Sequence, residues 1–302
     1  QVGLFDHTVG VCVPHKVLGD AFALVVVQDQ AKQMTTLNST HFDHWQMTFE
    51  TALAAARHNL ALRSEDVHFD TIVDKDSELP IVYTSQWHDE YDAARILLPN
   101  SVSQLNVQGE PFILLLNNNR ILITGSESDL GMAIAYSELS AAQEEPRPLP
   151  PVPLTISNGE FVRYQLPEEN IWHVMYDDLE LNYMSTIYQS QKRLLDGDYN
   201  QLVDGCRVAA FRVAKNEEFE LRSFCSAWHC SVPVLLPKTD FVIFERKSQG
   251  HQLLAQASWE RVATILGADL ELLDLYPQRY ILKRFPNERE LEKIGTAEMF
   301  EQ

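Results

Sequence analysis

The segment "DEYDAAR" at residues 89–95 combines three acids, a tyrosine and an arginine at the predicted start of a helix. Its Asp92 and Arg95 are three residues apart, so they can pair across one helical turn. A second arginine, Arg120, follows three asparagines in "FILLLNNNRILITG". Because arginine binds a carboxylate or phosphate through two parallel hydrogen bonds, we predict a candidate anion site. It consists of Arg95, Arg120, Asp92 and Tyr91, with the tyrosine stacking on the ligand or hydrogen bonding to it.

These residues also have a simpler structural interpretation. An acid in the first turn of a helix interacts favourably with the helix dipole, and Asp–Arg pairs are common on protein surfaces. In that case Asp92 and Arg95 stabilise a helix start, and the asparagines form a tight hairpin turn because they tolerate left-handed backbone conformations. We favour this structural interpretation, although the four residues are the best site candidates in the sequence.

Histidines and cysteines suggest two weaker metal sites. His41 and His44 are three residues apart in "HFDHW", and Cys225, His229 and Cys230 lie in "CSAWHC". A zinc site needs three or four converging ligands, and no second cysteine pair follows downstream. Polar residues in a first helical turn and buried cysteines acting as small hydrophobes explain these segments better. We therefore predict no metal and no cofactor.

Several short catalytic and nucleotide-binding motifs are missing from the sequence. It contains no G-x-S-x-G, no Walker A pattern and no G-x-G-x-x-G. The acid-rich "MYDDLELNY" (175–183) could hold a divalent cation, but such a run usually forms a solvated face. The motifs therefore leave open whether the chain is an enzyme.

The charge balance limits the classes of partner. The chain has 43 acidic residues against 24 lysines and arginines, a net charge of −19. Such a charge repels phosphate backbones and anionic membranes, so we predict neither a nucleic acid nor a membrane partner. No stretch approaches the roughly 20 apolar residues of a membrane span, and no signal peptide is visible. Four cysteines are too few for a disulfide scaffold, which predicts a cytoplasmic protein with free thiols. The chain begins at Gln1, so an upstream segment could be missing.

Composition predicts two domains. The chain has 302 residues, and single cores rarely grow beyond roughly 250 residues. The segment "EEPRPLPPVP" (144–153) contains five prolines, and proline favours an extended, semi-rigid connector. We place a linker there, between an N-terminal domain (1–143) and a C-terminal domain (154–302).

Hydrophobic periodicity predicts an α+β fold with mainly antiparallel sheets and helices packed on one face. Residues 22–28 form a strand, 111–125 and 152–166 form hairpins, and 38–66 and 252–274 form single helices. Residues 111–139 and 233–266 both read as strand, turn, strand and helix. This pattern indicates a possible duplicated strand–hairpin–helix unit.

The N-terminal part also resembles a known family. The segments that show the resemblance are "ALAAARHNL", "DEYDAARILL" and "FILLLNNNRILITG". Through them, roughly residues 22–135 resemble the DUF1444 (YtpQ-like) family of bacterial proteins. Members carry a similar Tyr-Asp-Ala-Ser/Ala-Arg element, which Tyr91, Asp92 and Arg95 match, and Arg120 matches their turn arginine. Members often have proline before that arginine, where this chain has "NNN". The resemblance implies a fold unit and no established activity.

Two functional hypotheses follow. The first is a non-enzymatic binding or protein-interaction module, because the chain is acidic and lacks a nucleophile or metal signature. Its partner would be a protein with a basic face or a second copy of the chain. The alternative is an enzyme, a hydrolase or transferase, acting on an anionic small molecule held by Arg95 and Arg120.

Overall fold

The chain divides into two compact units. A computed structural model describes residues 12–30, 33–64, 69–73, 80–99, 101–197, 205–216, 220–247, 251–273 and 275–299. One unit is Val9–Glu180 and the other contains Leu181–Gln302. The boundary falls inside a long helix, His173–Asp196, and not at the predicted linker.

The first unit contains ten strands and three complete helices among its described residues. The strands are β1 (His15–Leu18), β2 (Phe22–Val25), β3 (Val27–Gln30), β4 (Gln33–Thr36), β5 (Phe69–Val73), β6 (Pro80–Ser85), β7 (Pro111–Asn117), β8 (Arg120–Gly125), β9 (Leu154–Ser157) and β10 (Glu160–Arg163). The helices are α1 (Ser39–Trp45), α2 (Phe49–Arg63), α3 (Asp129–Ala142) and the start of α4 (His173–Asp196), and Ala93–Leu97 forms a short 3-10 helix.

A six-stranded antiparallel sheet forms the core of this unit, in the order β10-β9-β7-β8-β6-β5. Successive side chains of a strand point to opposite faces. Phe112 and Leu114 pack on the α3 side, whereas Ile113 and Leu115 pack on the other side. This arrangement confirms the α+β prediction. Helices α3 and α4 pack on one face, whereas the 3-10 helix, the β1–β2 hairpin and loops cover the other.

The proline-rich segment belongs to this unit, so the predicted linker does not separate the compact units. The backbone N–H of Leu149 donates to the carbonyl oxygen of Leu116 at 3.1 Å, and Val152 is buried. Directly after it, β9 pairs with β7 through Leu154 and Ile113. The proline-rich segment therefore packs against the sheet of the first unit, where a linker between two domains was predicted.

The single helix predicted over residues 38–66 is two helices. Gln46 ends α1 in the left-handed conformation, with φ of 49°, and the side chain of Thr48 caps α2 by accepting from the N–H of Thr51. A threonine side chain can accept a hydrogen bond from a free backbone N–H in the first turn of a helix, so Thr48 allows a second helix to begin there. Residues 65–66 of the predicted helix lie outside the described residues. The strand predicted over 22–28 is likewise divided, between β2 and β3 at Val26.

Both predicted hairpins form, for different local reasons. At β9–β10, Asn158 and Gly159 have φ of 52° and 79°, the left-handed pair that a two-residue turn requires. At β7–β8, none of the three asparagines has a positive φ. There the side chain of Asn117 accepts from the backbone N–H of Asn119 at 2.9 Å, so hydrogen bonding makes this turn and the predicted left-handed backbone is wrong.

The second unit contains two four-stranded sheets. Its strands are β11 (Arg207–Val208), β12 (Arg212–Lys215), β13 (Leu221–Trp228), β14 (Val234–Pro237), β15 (Phe241–Lys247), β16 (His251–Ser258), β17 (Leu270–Leu273) and β18 (Arg279–Leu282). Its helices are α5 (Trp259–Leu266) and α6 (Glu288–Ile294), with the end of α4. The orders are β11-β14-β18-β17 and β12-β13-β15-β16. The pairs β11–β14 and β13–β15 are parallel, and the remaining pairs are antiparallel.

The helix predicted over 252–274 is wrong over most of its length. Residues 251–258 form β16, which pairs with β15 and buries Ala255 and Ala257, and only Trp259–Leu266 is α-helical. Leucine, alanine and glutamine favour helix locally, but pairing with a neighbouring strand overrides that propensity. The proposed duplication also differs, because β14 and β15 lie in different sheets and do not form a hairpin.

Within the described residues, no helix combines the length and the apolar composition that crossing a bilayer would need.

Candidate functional site

Arg95 of the predicted site is a buried structural residue. Its side chain is fully shielded from solvent, and Nη1 and Nη2 donate to the two carboxylate oxygens of Asp89 at 2.6 and 2.8 Å. Nη1 also donates to Asp92 at 3.2 Å, and Nε to the hydroxyl of Ser64 at 2.8 Å. The guanidinium carbon lies 4.3 Å from the ring centroid of Trp87. With its charge neutralised and all three nitrogens engaged, Arg95 is poorly suited to hold a ligand.

The predicted pairing of Asp92 with Arg95 is present, but the principal partner is Asp89. The hydrogen bond from Arg95 lowers the pKa of the Asp89 carboxyl below its usual value. Asp92 is fully buried and also accepts from the backbone N–H of His88 at 3.1 Å. Sequence reasoning missed Asp89 because a six-residue separation lies outside the spacing of pairs on a regular helix.

Tyr91 is engaged elsewhere in the unit. Its ring centroid lies 5.2 Å from the guanidinium carbon of Arg63, and its hydroxyl hydrogen bonds to Asp29. Arg63 in turn pairs with Asp29 at 3.1 Å. Burial and the contact with Asp29 raise the pKa of Tyr91. Tyr91 therefore fastens its loop to α2 and β3.

Arg120 lies on the opposite side of the sheet from Arg95. Because side chains alternate along a strand, that of Arg120 shares a face with Leu122, which packs under α3. Arg120 pairs with Glu145 at 3.1 Å and with Glu138 at 3.7 Å. Arg95 precedes Ile96, which packs in the cluster on the other face. The structure therefore does not bring the two predicted arginines together.

The two segments themselves are in contact. The backbone N–H of Ala93 donates to the carbonyl oxygen of Asn118 at 3.1 Å. The side chain of Asn119 accepts from the backbone N–H of Glu90 and donates to its carboxylate at 2.9 Å. The hairpin turn thus holds the acidic loop against the sheet through hydrogen bonds that leave Arg120 out.

The weaker metal candidates are also dispersed. His41 hydrogen bonds to the cap of α1 through Nδ1 and the Asn38 side chain at 2.6 Å, and His44 is exposed. Cys225 is fully buried, and burial raises the pKa of its thiol to about 12. His229 packs its ring on Phe285 at 4.9 Å between centroids. No three His, Cys, Asp or Glu side chains in the described part of the chain are grouped to hold a metal ion.

A cleft in the second unit offers a different site, with a volume of about 420 Å³. It lies beside β11 and the start of β12, and the end of α4 borders it. We call it the arginine-rimmed cleft, after these lining residues: Arg207, Val208, Ala209, Arg212, Trp228 and Val234. Val208 and Ala209 are buried and Trp228 is half-buried, whereas Arg207 and Arg212 are exposed. The cleft therefore combines an apolar floor with a basic rim.

The two rim arginines lack acidic partners. Within the ranges that the structure describes, no carboxylate lies within ion-pair distance of the guanidinium of Arg207 or Arg212. The cleft's other charged residues, Lys192 and Asp196, pair with each other at 2.5 Å. Among the described residues, the positive charge at the rim is therefore not balanced by an acid.

A third arginine lies behind the floor of this cleft. Arg279 is fully buried, and its Nη1 donates to the carbonyl oxygens of Ala209 at 2.9 Å and Leu235 at 3.2 Å. Its Nε donates to the side-chain oxygen of Gln191 at 2.6 Å, and its guanidinium carbon lies 5.3 Å from the ring centroid of Tyr188. Burial lowers its pKa to about 10, so it remains charged at neutral pH.

A second cleft, of about 460 Å³, lies in the first unit. Its positively charged side chains pair with acids that lie beside them. Arg163 donates to both oxygens of Glu180 at 2.8 and 3.0 Å and also pairs with Asp20 at 3.0 Å. His173 lies 3.4 Å from Asp177, whose pKa is raised by burial. Because Arg163 is already bound by Glu180 and Asp20, this cleft is the weaker candidate for an anion site.

The residues of the arginine-rimmed cleft were not predicted from the sequence. The signal was "CRVAAFR" (206–212), which places two arginines five residues apart in an acidic chain. What brings Trp228 and Val234 beside it is the pairing of β12 with β13 and of β11 with β14.

No family model, no curated protein and no solved structure matches this chain. The similarity of residues 22–135 to the DUF1444 family therefore stays a prediction.

Proposed function

We propose that this chain is a non-catalytic binding protein and that the arginine-rimmed cleft holds its ligand. The ligand is a small molecule with an apolar body and an anionic group. The observation that carries this proposal is the pair of exposed arginines, Arg207 and Arg212, at the mouth of a cleft of about 420 Å³, where neither has an acidic partner among the residues that the structure describes. Small-molecule sites are typically clefts of about 300–1,000 Å³ with apolar linings and a few placed polar groups.

The local sequence supports this assignment. Residues 205–216 contain Arg207, Arg212 and Lys215 but no aspartate or glutamate. Two arginines that lack acidic partners among the described residues, beside an apolar floor, leave their fork-like donors available for an anion. The apolar floor and Trp228 would contact the rest of the ligand.

The remaining lining residues favour binding over catalysis. Lys192 and Asp196 pair with each other, and no histidine lines the cleft among the described residues. A nucleophile needs a base within hydrogen-bond reach, and among the described residues that line the cleft no histidine is available to activate the hydroxyl of Ser226. The alternative, an enzyme using Arg95 and Arg120, loses support because Arg95 is bound by Asp89.

We also propose a cytoplasmic location. All four cysteines are free thiols, and disulfides are rare in the cytosol but common in secreted proteins. Direct localisation of a tagged full-length protein would test this assignment, and secretion would contradict it.

The binding proposal is tested by calorimetric titration of the chain with phenyl phosphate as the probe. The double variant Arg207→Gln, Arg212→Gln should weaken binding at least tenfold. The matched control is Arg222→Gln, Arg246→Gln, which changes the net charge equally at two exposed positions of the same unit that do not line the cleft. Undetectable binding to the natural chain, or an equal loss in both double variants, would overturn the proposal.

A further inference from the structure

Among the described residues, no carboxylate hydrogen bonds to the buried guanidinium of Arg279. Within the described residues its hydrogen-bond acceptors are the backbone carbonyls of Ala209, Leu235 and Tyr188 and the side-chain oxygen of Gln191, all of them neutral. Charged side chains are rarely fully buried unless they are paired, because desolvation disfavours the charged form. The arrangement satisfies the donors of Arg279 and leaves its positive charge uncompensated.

The position of Arg279 relates this charge to the cleft. Ala209 lines the arginine-rimmed cleft, and its carbonyl oxygen accepts from Nη1 of Arg279 at 2.9 Å. A single backbone layer therefore separates the guanidinium from the cleft. Charges in a protein interior are screened much less than charges in water, so the field of Arg279 reaches the space above the floor.

Counting only the part of the chain that the structure describes, three positive charges thus act on the cleft without an equal number of negative ones. They belong to Arg207, Arg212 and Arg279, whereas the charges of Lys192 and Asp196 cancel in their ion pair. Asp196 does act on Arg279 through space, but its carboxylate is already shared with Lys192. A ligand with one negative charge would leave most of this field unbalanced.

We infer that the arginine-rimmed cleft is selective for a dianionic group, such as a phosphate monoester or a dicarboxylate, carried on an apolar body. The inference rests on the proposed function and adds the charge of the ligand. The rim arginines bind the anionic group directly. Arg279 is a positioning residue that favours the second charge from behind the floor without touching the ligand.

The test compares phenyl phosphate with phenyl sulfate at pH 8 by calorimetric titration of the full chain. Phosphate monoesters lose their second proton with a pKa of about 6, so the phosphate is a dianion at pH 8 while the sulfate ester is a monoanion of similar shape. We expect the natural chain to prefer the phosphate by about tenfold, since one extra unit charge acts at close range in a poorly screened site. Phenylmalonate, a dicarboxylate, serves as the second dianionic probe, and a preference for either dianion supports the inference.

Variants of the buried network separate this inference from the proposed function. Arg279→Lys keeps the charge and should keep the preference, whereas Arg279→Met should lose it and still bind phenyl sulfate. Should Arg279→Met fail to fold, Gln191→Glu places a carboxylate beside Nε and should also abolish the preference. Equal affinity for phenyl sulfate and for both dianionic probes, or a preference that persists in Gln191→Glu, overturns the dianion inference alone. Binding of neither ester overturns the proposed function.

Discussion

Asp89 binds Arg95 through two hydrogen bonds, of 2.6 and 2.8 Å, around a guanidinium that solvent does not reach. The pair joins an exposed loop to the interior, because the Asp89 side chain is 36% exposed and the Arg95 side chain is fully buried. Trp87 and Ser64 enclose the same guanidinium. The segment that first suggested an anion site is thus an internal ion-pair network.

Replacing Arg95 should destabilise the first unit strongly. Arg95→Met would leave Asp92, which is fully buried, without its cation, and breaking a buried pair on one side costs about 3–5 kcal/mol. Urea unfolding followed by circular dichroism measures the change. The matched control is Arg63→Met, whose ion pair with Asp29 is exposed and worth at most about 1 kcal/mol. Equal effects of the two substitutions would contradict the structural role of Arg95.

Asp89 should contribute to stability in a defined pH window. Its folded-state pKa is lowered from the ordinary value of 3.8, first by the hydrogen bond from Arg95. A depressed carboxyl pKa stabilises the fold above the unfolded-state pKa, and this contribution is lost as the pH falls through the folded-state value. As the pH falls below about 5, the free energy of unfolding should therefore decrease less for Asp89→Asn than for the natural chain. Parallel pH profiles of the unfolding free energy for the two proteins would refute this assignment.

Cysteine reactivity should follow burial. The thiol of Cys225 is fully buried with a pKa of about 12, so at pH 8 its thiolate fraction is about one in ten thousand. Iodoacetamide should label the exposed Cys12 rapidly and leave Cys225 unmodified in the folded protein. Peptide mapping by mass spectrometry reads each site separately. In denaturant both should react at similar rates, and labelling of native Cys225 at the rate of Cys12 would contradict the burial.

Asn119 should matter more than its neighbour in the turn. Its side chain exchanges two hydrogen bonds with Glu90, and each such bond contributes about 0.5–1.5 kcal/mol net. Asn119→Ala should therefore lower the unfolding free energy by about 1–2 kcal/mol. Asn118→Ala is the control, because Asn118 is exposed and joins Ala93 only through its backbone carbonyl oxygen. Similar losses in the two variants would show that the turn does not hold the loop through Asn119.

Local signals in the sequence determined much of the first unit. Continuous apolar runs in β7 and β8 specify strands that are buried on both faces, and Asn158-Gly159 specifies a tight turn by its backbone preference alone. Such features depend on residues within a few positions of one another, so they can be predicted without knowing the fold. The α+β class followed from them.

Other features of the fold depend on tertiary structure, because the residues that pair or pack there are distant in the chain. Residues 251–258 form a strand only because β15 pairs with them, and the proline-rich segment remains in the first unit because β9 pairs with β7. Arg95 is sequestered by Ser64, 31 residues away, as well as by the nearby Asp89. The arginine-rimmed cleft likewise brings together the end of α4 and strands of two different sheets. The sequence by itself determined which elements could form. Only long-range strand pairing and burial decided which arginines were neutralised and which have no acidic partner among the described residues.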